Sequence, residues 1–174
     1  AFHVPHHYVD MVQLAVASDI FPNKFLIGIG QEKMEVPTIE EDIVAMGANA
    51  ARRIVTEEDR DLIDQVIFAT ETGVDFSKSA ATYIHQMLGI QPFAKAFEVK
   101  HACYGGTAGL LSACDYVRLN PERKVLVIMS DISRYGLNSG GEATQGAGAI
   151  AMLVTANPRV LAIDSETISL TDNQ

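Results

Sequence analysis

The chain has 174 residues, of which 48% are hydrophobic and 20% charged, a composition typical of a folded globular domain rather than of a disordered or fibrous chain. Asp and Glu outnumber Lys and Arg by 22 to 13, which gives a formal net charge of −9. An acidic chain is a poor partner for a phosphate backbone, so we expect no nucleic-acid binding.

Short β-rich segments alternate with longer helical patterns along the first half of the chain. Residues 38–41 have the spacing of a capping box, and apolar residues follow at helical spacing, which predicts a helix over about 39–55. A buried strand is predicted over 65–70, and a helix over 77–88 that ends at Gly89.

The second half continues this alternation. Residues 97–100 are predicted to form a strand, and 104–119 a helix rich in small residues, ended by Asn120-Pro121. Further strands are predicted over 124–130, 147–154 and 160–163. The order of elements indicates an α/β fold, with a mainly parallel mixed sheet covered by helices on both faces and no linker that divides the chain.

Three junctions between strands and helices are candidates for chemistry, because side chains converge there and helix N-termini carry partial positive charge. Glu71 directly follows a predicted strand. Cys103 begins a helix whose first turn contains glycine. A glycine-rich loop over 135–148 follows Ser130-Asp131. These junctions therefore contain the first candidates for a functional site.

Cys103 has two interpretations from its position alone. A thiol at a helix N-terminus is stabilised as a thiolate and becomes a nucleophile, whereas many free cysteines are small buried hydrophobes. Cys114, in the middle of the same helix, fits the second role better. The two cysteines lie about 16 Å apart along that helix, too far for a disulfide, so two free thiols and a reducing compartment are predicted.

Glu71 also has two interpretations, a general acid or base in a partly apolar cavity or an exposed carboxylate on a loop. His3, His6 and His7 lack a partner carboxylate at metal-ligand spacing, so no metal site is predicted. The glycine-rich loop lacks the residue order of known phosphate-binding loops, which argues against a phosphate site there. A nucleotide-binding fold remains a structural alternative.

The hydropathy pattern predicts a protein that does not cross a membrane. No apolar run approaches the roughly 18 residues of a membrane span. The first residues lack a basic segment followed by an apolar one, so no signal peptide is predicted and we expect a cytoplasmic location. Because the chain does not begin with Met, and no clear element precedes its last residue, we interpret it as a fragment.

Five stretches, taken together and in this order, resemble the 3-hydroxy-3-methylglutaryl-coenzyme A synthases, most closely the bacterial mevalonate-pathway type. They are residues 24–31, 70–75, 102–108, 130–132 and 135–148, and the resemblance extends over nearly the whole chain. It implies the thiolase fold, in which each subunit of a homodimer has two similar α/β halves. By this resemblance, residues 1–174 are the N-terminal half, truncated before the second.

The resemblance also implies the reaction. Cys103 matches the family's nucleophile, which takes the acetyl group of acetyl-CoA as a thioester, and Glu71 matches the general acid/base that removes a methyl proton from it. The resulting carbanion attacks acetoacetyl-CoA, and water releases 3-hydroxy-3-methylglutaryl-CoA. Acetyl-CoA and acetoacetyl-CoA are substrates, and no cofactor is implied.

Four further residues match segments that bind substrate in the family. Thr144 corresponds to a position that contacts the bound acyl group, and Lys24 lies in a segment that touches CoA. Tyr104 and Gly148 complete the expected substrate contacts. The family's catalytic histidine belongs to the second half, so we expect the fragment alone to be inactive.

Two alternatives remain open. A subfamily of these synthases installs β-branches on polyketides, using acetoacetyl groups carried by an acyl carrier protein, and residues 75–79 and 83–85 would also suit it. The intact segment 135–141 favours the mevalonate type. The other alternative is a dimerisation and scaffold fragment without catalytic activity.

Overall fold

The computed structural model describes residues 1–164, 166 and 168–172. Within them, one five-stranded sheet carries helices on both faces and a smaller antiparallel pair of strands lies beside it. The strands are β1 (Phe2–His3), β2 (His7–Asp10), β3 (Lys33–Val36), β4 (Ile63–Ala69), β5 (Lys95–Val99), β6 (Lys124–Ser133) and β7 (Gly146–Val154). The helices are α1 (Met11–Ala17), α2 (Asn23–Leu26), α3 (Ile43–Ala51), α4 (Glu57–Leu62), α5 (Ala80–Leu88) and α6 (Tyr104–Leu119).

The main sheet has the strand order β1-β7-β6-β4-β5. β4 pairs in parallel with both β5 and β6, whereas β7 is antiparallel to β6 and to β1. The sheet is therefore mixed, and its parallel part brings the carboxyl ends of three strands to one edge. The predicted α/β class is confirmed.

The central strands are buried on both faces, which explains their nearly continuous apolar sequence. In β4, Val66 and Phe68 pack into the cluster that contains α3 and α5, while Ile67 between them faces α6 on the opposite side. β6 follows the same alternation, because Leu126 lies on the first face and Val127 on the second. Helices thus cover both faces, as predicted.

A small unit formed by β2, β3, α1 and α2 packs against the end of the sheet. β2 and β3 pair antiparallel, and their apolar cluster contains Met11, Phe25 and Met34. Ala143 joins this cluster from a short 3₁₀ turn, Glu142–Thr144, which lies directly before β7. The cluster therefore fixes the small unit beside the glycine-rich loop.

The predicted start of the first long helix is wrong. α3 begins at Ile43, with Asp42 rather than Thr38 as its N-cap, because the Asp42 carboxylate accepts the backbone N–H of Ala45 at 2.8 Å. Glu41 does not complete a capping box with Thr38, since its carboxylate pairs with His3 at 2.6 Å. The tertiary contact with β1 replaces the local one that the sequence suggested.

The ends of the later elements agree better with prediction. α5 begins at Ala80 with Ser79 as its N-cap, and Gly89 ends it in the left-handed conformation (φ 63°) that glycine adopts easily. α6 has the predicted bounds. The strand predicted over 160–163 is wrong: β7 already has neighbours on both sides, and the Val160 side chain is almost wholly exposed.

None of the helices in the described part of the chain is both long and apolar enough to span a bilayer.

Candidate active site

Two of the predicted site residues, Glu71 and Cys103, lie at the carboxyl edge of β4, β5 and β6. Glu71 follows β4 after one residue, the turn that leads to Cys103 follows β5, and Asp131 lies near the end of β6. The beginning of α6 lies directly over these strand ends. A Cβ added at Gly105 would be 3.3 Å from the Val99 carbonyl oxygen and 3.6 Å from the Ala69 Cβ, so the glycine permits this close approach.

Cys103 occupies the N-cap position of α6 and is exposed. The preceding residue, Ala102, has φ 34°, a conformation that costs a non-glycine residue free energy and that the surrounding turn must hold. The His101 carbonyl accepts the backbone N–H of Gly105 at 2.8 Å and closes this turn. The thiol is therefore held at the exposed N-terminus of a 16-residue helix.

Cys114 has the opposite environment. It is buried within α6, and this burial raises the pKa of its thiol. Both cysteines are free thiols, as predicted. The interpretation of a small buried hydrophobe therefore fits Cys114 and does not fit Cys103.

Glu71 is half-buried and is held by contacts from β6. Asp131 Oδ1 accepts hydrogen bonds from the backbone N–H of Glu71 at 2.8 Å and from the backbone N–H of Thr72 at 3.1 Å. The hydroxyls of Thr70 and Thr72 also donate to this oxygen, at 2.7 and 2.9 Å. The Ser133 hydroxyl donates to Glu71 Oε1 at 3.0 Å. Glu71 is thus not a freely exposed loop carboxylate.

Thr144 lies at the same edge, because the 3₁₀ turn that contains it precedes β7, whose first residue pairs with Ser133. Its side chain is exposed, and its hydroxyl donates to the Gly141 carbonyl at 2.8 Å. Glu142 in the same turn is buried, and its carboxylate accepts the backbone N–H of Asn138. The glycine-rich loop is therefore internally hydrogen-bonded, and the Thr144 oxygen lone pairs remain as acceptors.

The other three residues predicted to contact substrate lie on three different elements, α6, β7 and α2. Tyr104 follows Cys103, is 47% exposed, and packs edge-on against His101 with ring centroids 5.3 Å apart. Gly148 lies inside β7 opposite Asp131. Lys24 is exposed on α2, the helix whose Phe25 packs in the same cluster as the 3₁₀ turn. In the described residues, no side-chain hydrogen bond or ion pair joins Lys24 to Cys103 or Glu71.

A groove of about 210 Å³ opens beside Ser133. Met34 of β3, Ile132 and Ser133 of β6, and Gln145 and Gly146 at the start of β7 contribute to its walls. Space for a small group is thus present next to the residue that contacts Glu71. No group of three or more His, Cys, Asp or Glu side chains in the described residues is arranged to hold a metal ion.

The sequence predicts no role for Ser133, and it marks Asp131 only by its place at a strand–loop junction and in the stretch 130–132 that resembles the family. Neither residue is predicted to contact Glu71. A signal for them does exist, because residues two apart in a strand face the same side, and both are polar at the end of an otherwise apolar strand.

Comparison with known proteins identifies the family. The family model described as "Hydroxymethylglutaryl-coenzyme A synthase N terminal" matches residues 1–159. The chain belongs to the hydroxymethylglutaryl-coenzyme A synthase family. A solved hydroxymethylglutaryl-CoA synthase complexed with CoA superposes with a TM-score of 0.94 and 45% identity, over 98% of this chain and 44% of that one. The predicted resemblance and the thiolase-like fold are confirmed.

Two curated relatives differ in the substrate carrier that their names give. Hydroxymethylglutaryl-CoA synthase of Enterococcus faecalis is 54% identical over 99% of this chain and 45% of its own length. PksG of Bacillus subtilis, a polyketide biosynthesis 3-hydroxy-3-methylglutaryl-ACP synthase, is 40% identical over 90% of this chain and 41% of its own length. The chain therefore spans less than half the length of either relative.

Proposed function

We propose that this chain supplies the acetylation and proton-transfer residues of a hydroxymethylglutaryl-CoA synthase, which joins acetyl-CoA and acetoacetyl-CoA in the mevalonate pathway. The observation that carries the proposal is the arrangement of two side chains at one sheet edge. The exposed Cys103 thiol lies at the start of α6. The Glu71 residue lies just after β4, and hydrogen bonds to Asp131 and Ser133 of β6 hold it in place. The 54% identity to the Enterococcus faecalis synthase supports the same activity.

In the first step, the Cys103 thiolate attacks the thioester carbonyl of acetyl-CoA. The new S–C bond forms, negative charge collects on the carbonyl oxygen, and the CoA thiolate leaves and takes up a proton. Backbone N–H groups at the start of α6, including that of Cys103, donate to the developing oxyanion. The step leaves an acetyl thioester on Cys103.

In the second step, Glu71 removes a proton from the acetyl methyl group. The carbanion forms a C–C bond with the ketone carbon of acetoacetyl-CoA, and the resulting alkoxide takes up a proton. Water then cleaves the thioester to Cys103 and releases 3-hydroxy-3-methylglutaryl-CoA. Thr144, Tyr104, Gly148 and Lys24 bind the two acyl-CoA substrates, and the reaction needs no cofactor.

The active protein is a cytoplasmic homodimer in this proposal. Strand β5 supports the dimer, because in the described residues it pairs with β4 on one side only and its outer edge is open to a second copy. The exposed side chains of Phe76 and Phe93 supply apolar surface for an interface. The two free thiols fit a reducing compartment.

A carrier-protein substrate is the second candidate, supported by the 40% identity to PksG. The higher identity to the Enterococcus faecalis enzyme favours free acetoacetyl-CoA. The two are separated by supplying the protein, at the full length of its relatives, with acetoacetyl groups on CoA or on an acyl carrier protein.

The test of the main proposal measures formation of 3-hydroxy-3-methylglutaryl-CoA by the same full-length protein, with Cys103→Ala as the control. Product that depends on acetyl-CoA, acetoacetyl-CoA and Cys103 is the expected result. Product formed only from the carrier-bound substrate would replace the first candidate with the second. No product from either, by a folded protein, would favour a scaffold role. The 174-residue chain, assayed in parallel, should form none.

A further inference from the structure

We propose that Ser133 is a positioning residue that orients the Glu71 carboxylate toward the acetyl group on Cys103. The inference deepens the proposed function and rests on it. Its basis is the hydrogen bond, 3.0 Å long, from the Ser133 hydroxyl to Glu71 Oε1. The bond joins the end of β6 to the loop after β4, and these two strands are parallel neighbours.

Ser133 stands on a rigid element. It is the last residue of the ten-residue strand β6, and its backbone pairs with Gly146 of β7. The strand ladder therefore already fixes the Ser133 backbone without help from the side chain. Since the hydroxyl is not needed to hold the strand, its contact with Glu71 is available for a functional role.

Asp131 and Ser133 act on different parts of Glu71. They lie two residues apart and so face the same side of β6. Asp131 accepts the backbone N–H of Glu71, which fixes where the side chain begins, and Ser133 donates to a carboxylate oxygen, which fixes where the side chain ends. A glutamate has three rotatable side-chain bonds, so fixing the backbone alone leaves the carboxylate free to turn.

The contact leaves the second carboxylate oxygen for chemistry. Ser133 engages Oε1, and none of the recorded hydrogen bonds of the described residues involves Oε2 of Glu71. An oriented base must bring one oxygen within hydrogen-bond reach of the proton that it removes. By holding Oε1, Ser133 presents Oε2 to the methyl group of the acetyl thioester.

The experiment compares Ser133→Thr with Ser133→Val in the full-length protein. Threonine and valine have the same shape and both suit a strand, but only threonine keeps the hydroxyl. Ser133→Ala is a third variant, and Ser112→Ala, a change at an exposed position of α6, is the matched control. Thermal unfolding confirms that each variant is folded before its kinetics are measured.

Two steps are measured separately with labelled acetyl-CoA. The acetyl adduct on Cys103 is formed first, and acetoacetyl-CoA is then added to follow condensation. We expect Ser133→Val and Ser133→Ala to condense about 10-fold more slowly than wild type, with acetylation within about 2-fold, because only condensation uses Glu71 as a base. Ser133→Thr should condense within about 3-fold of wild type.

Equal condensation rates for the Thr and Val variants would overturn the inference. An equal loss of acetylation and condensation would also overturn it, because that pattern indicates a general structural effect. Wild type that forms no product would instead contradict the proposed function itself, and with it this inference. An active wild type with equal Thr and Val variants contradicts only the role of Ser133.

Discussion

One carboxylate oxygen of Asp131 accepts the backbone N–H of Glu71 at 2.8 Å, so that β6 holds the loop that follows β4. The same oxygen accepts three more hydrogen bonds from Thr70 and Thr72. A single side chain thus satisfies most of the polar groups of a tight loop that carries the proposed base. Its loss should affect both the loop and the chemistry.

Asp131→Ala should lower the free energy of unfolding by about 2 kcal/mol, because it leaves half-buried donors in the loop without an acceptor. Condensation should fall by more than about 10-fold, because the Glu71 backbone is no longer fixed. Asp61→Ala, at an exposed position of α4, is the control. Thermal unfolding and condensation are measured on the same preparations. Unchanged values for both would contradict the anchoring role.

Local sequence signals were enough to predict α6 and the central strands. Small residues at helical spacing and the Asn120-Pro121 stop define α6. Continuous apolar runs define β4 and β6, because both faces of these strands are buried. For these elements the sequence pattern matches the burial of the residues in the fold. Their predicted bounds therefore agree closely with those in the structure.

The three strands of the first 36 residues were missed because each pairs with a strand far along the chain. β1 has only two residues, and it exists because it pairs with β7 from the other end of the described chain. β2 and β3 are four residues each and pair with one another. Strands this short carry no periodic pattern that a sequence can reveal.

The candidate site was only partly predictable for a similar reason. The position of Cys103 at a helix start and of Glu71 at a strand end follows from local sequence. The contacts of Asp131 and Ser133 with Glu71 require the register of β4 against β6, in which Ala69 lies opposite Met129. That register is a property of the folded sheet.

Iodoacetamide should label Cys103 long before Cys114 in the folded protein. Cys103 is exposed at the start of α6, whereas Cys114 is buried and burial raises its pKa, so little of its thiolate is present near neutral pH. Mass mapping of peptides after a short exposure at pH 7.5 checks the order. The unfolded protein, treated in the same way, serves as the control and should be labelled at both residues. Earlier labelling of Cys114 in the folded state would contradict the structure.

The ion pair of Asp64 with Arg123 should stabilise the fold in a pH-dependent way. The hydrogen bond from Arg123, aided by that from Tyr116 and opposed by burial, holds the pKa of the Asp64 carboxyl below its ordinary value of 3.8. A lowered folded-state pKa means that the stabilisation is complete above the unfolded-state pKa. It is lost as the pH falls through the folded-state value, below 3.8.

Asp64→Asn should therefore lower the free energy of unfolding by about 1–2 kcal/mol near pH 7, and the difference from wild type should shrink as the pH falls below the ordinary Asp pKa of 3.8. Asp115→Asn is the matched control, because Asp115 forms an exposed pair with Arg118 that should contribute little. Denaturant unfolding of the three proteins between pH 2 and 7 measures both effects. A difference that stays constant across this range would show that the ionised form of Asp64 is not responsible.

Glu71→Ala, in the full-length protein, should separate the two chemical steps. Acetyl transfer needs the Cys103 thiolate and the N–H groups of α6, which do not depend on Glu71, so the variant should still become acetylated. Condensation needs a base at the acetyl methyl group, and it should fall by about 100-fold to 10,000-fold. Labelled acetyl-CoA quantifies the covalent adduct, and product formation is followed separately. Loss of both steps together would indicate that Glu71 organises the site or activates the thiol, and condensation near the wild-type rate would show that another group is the base.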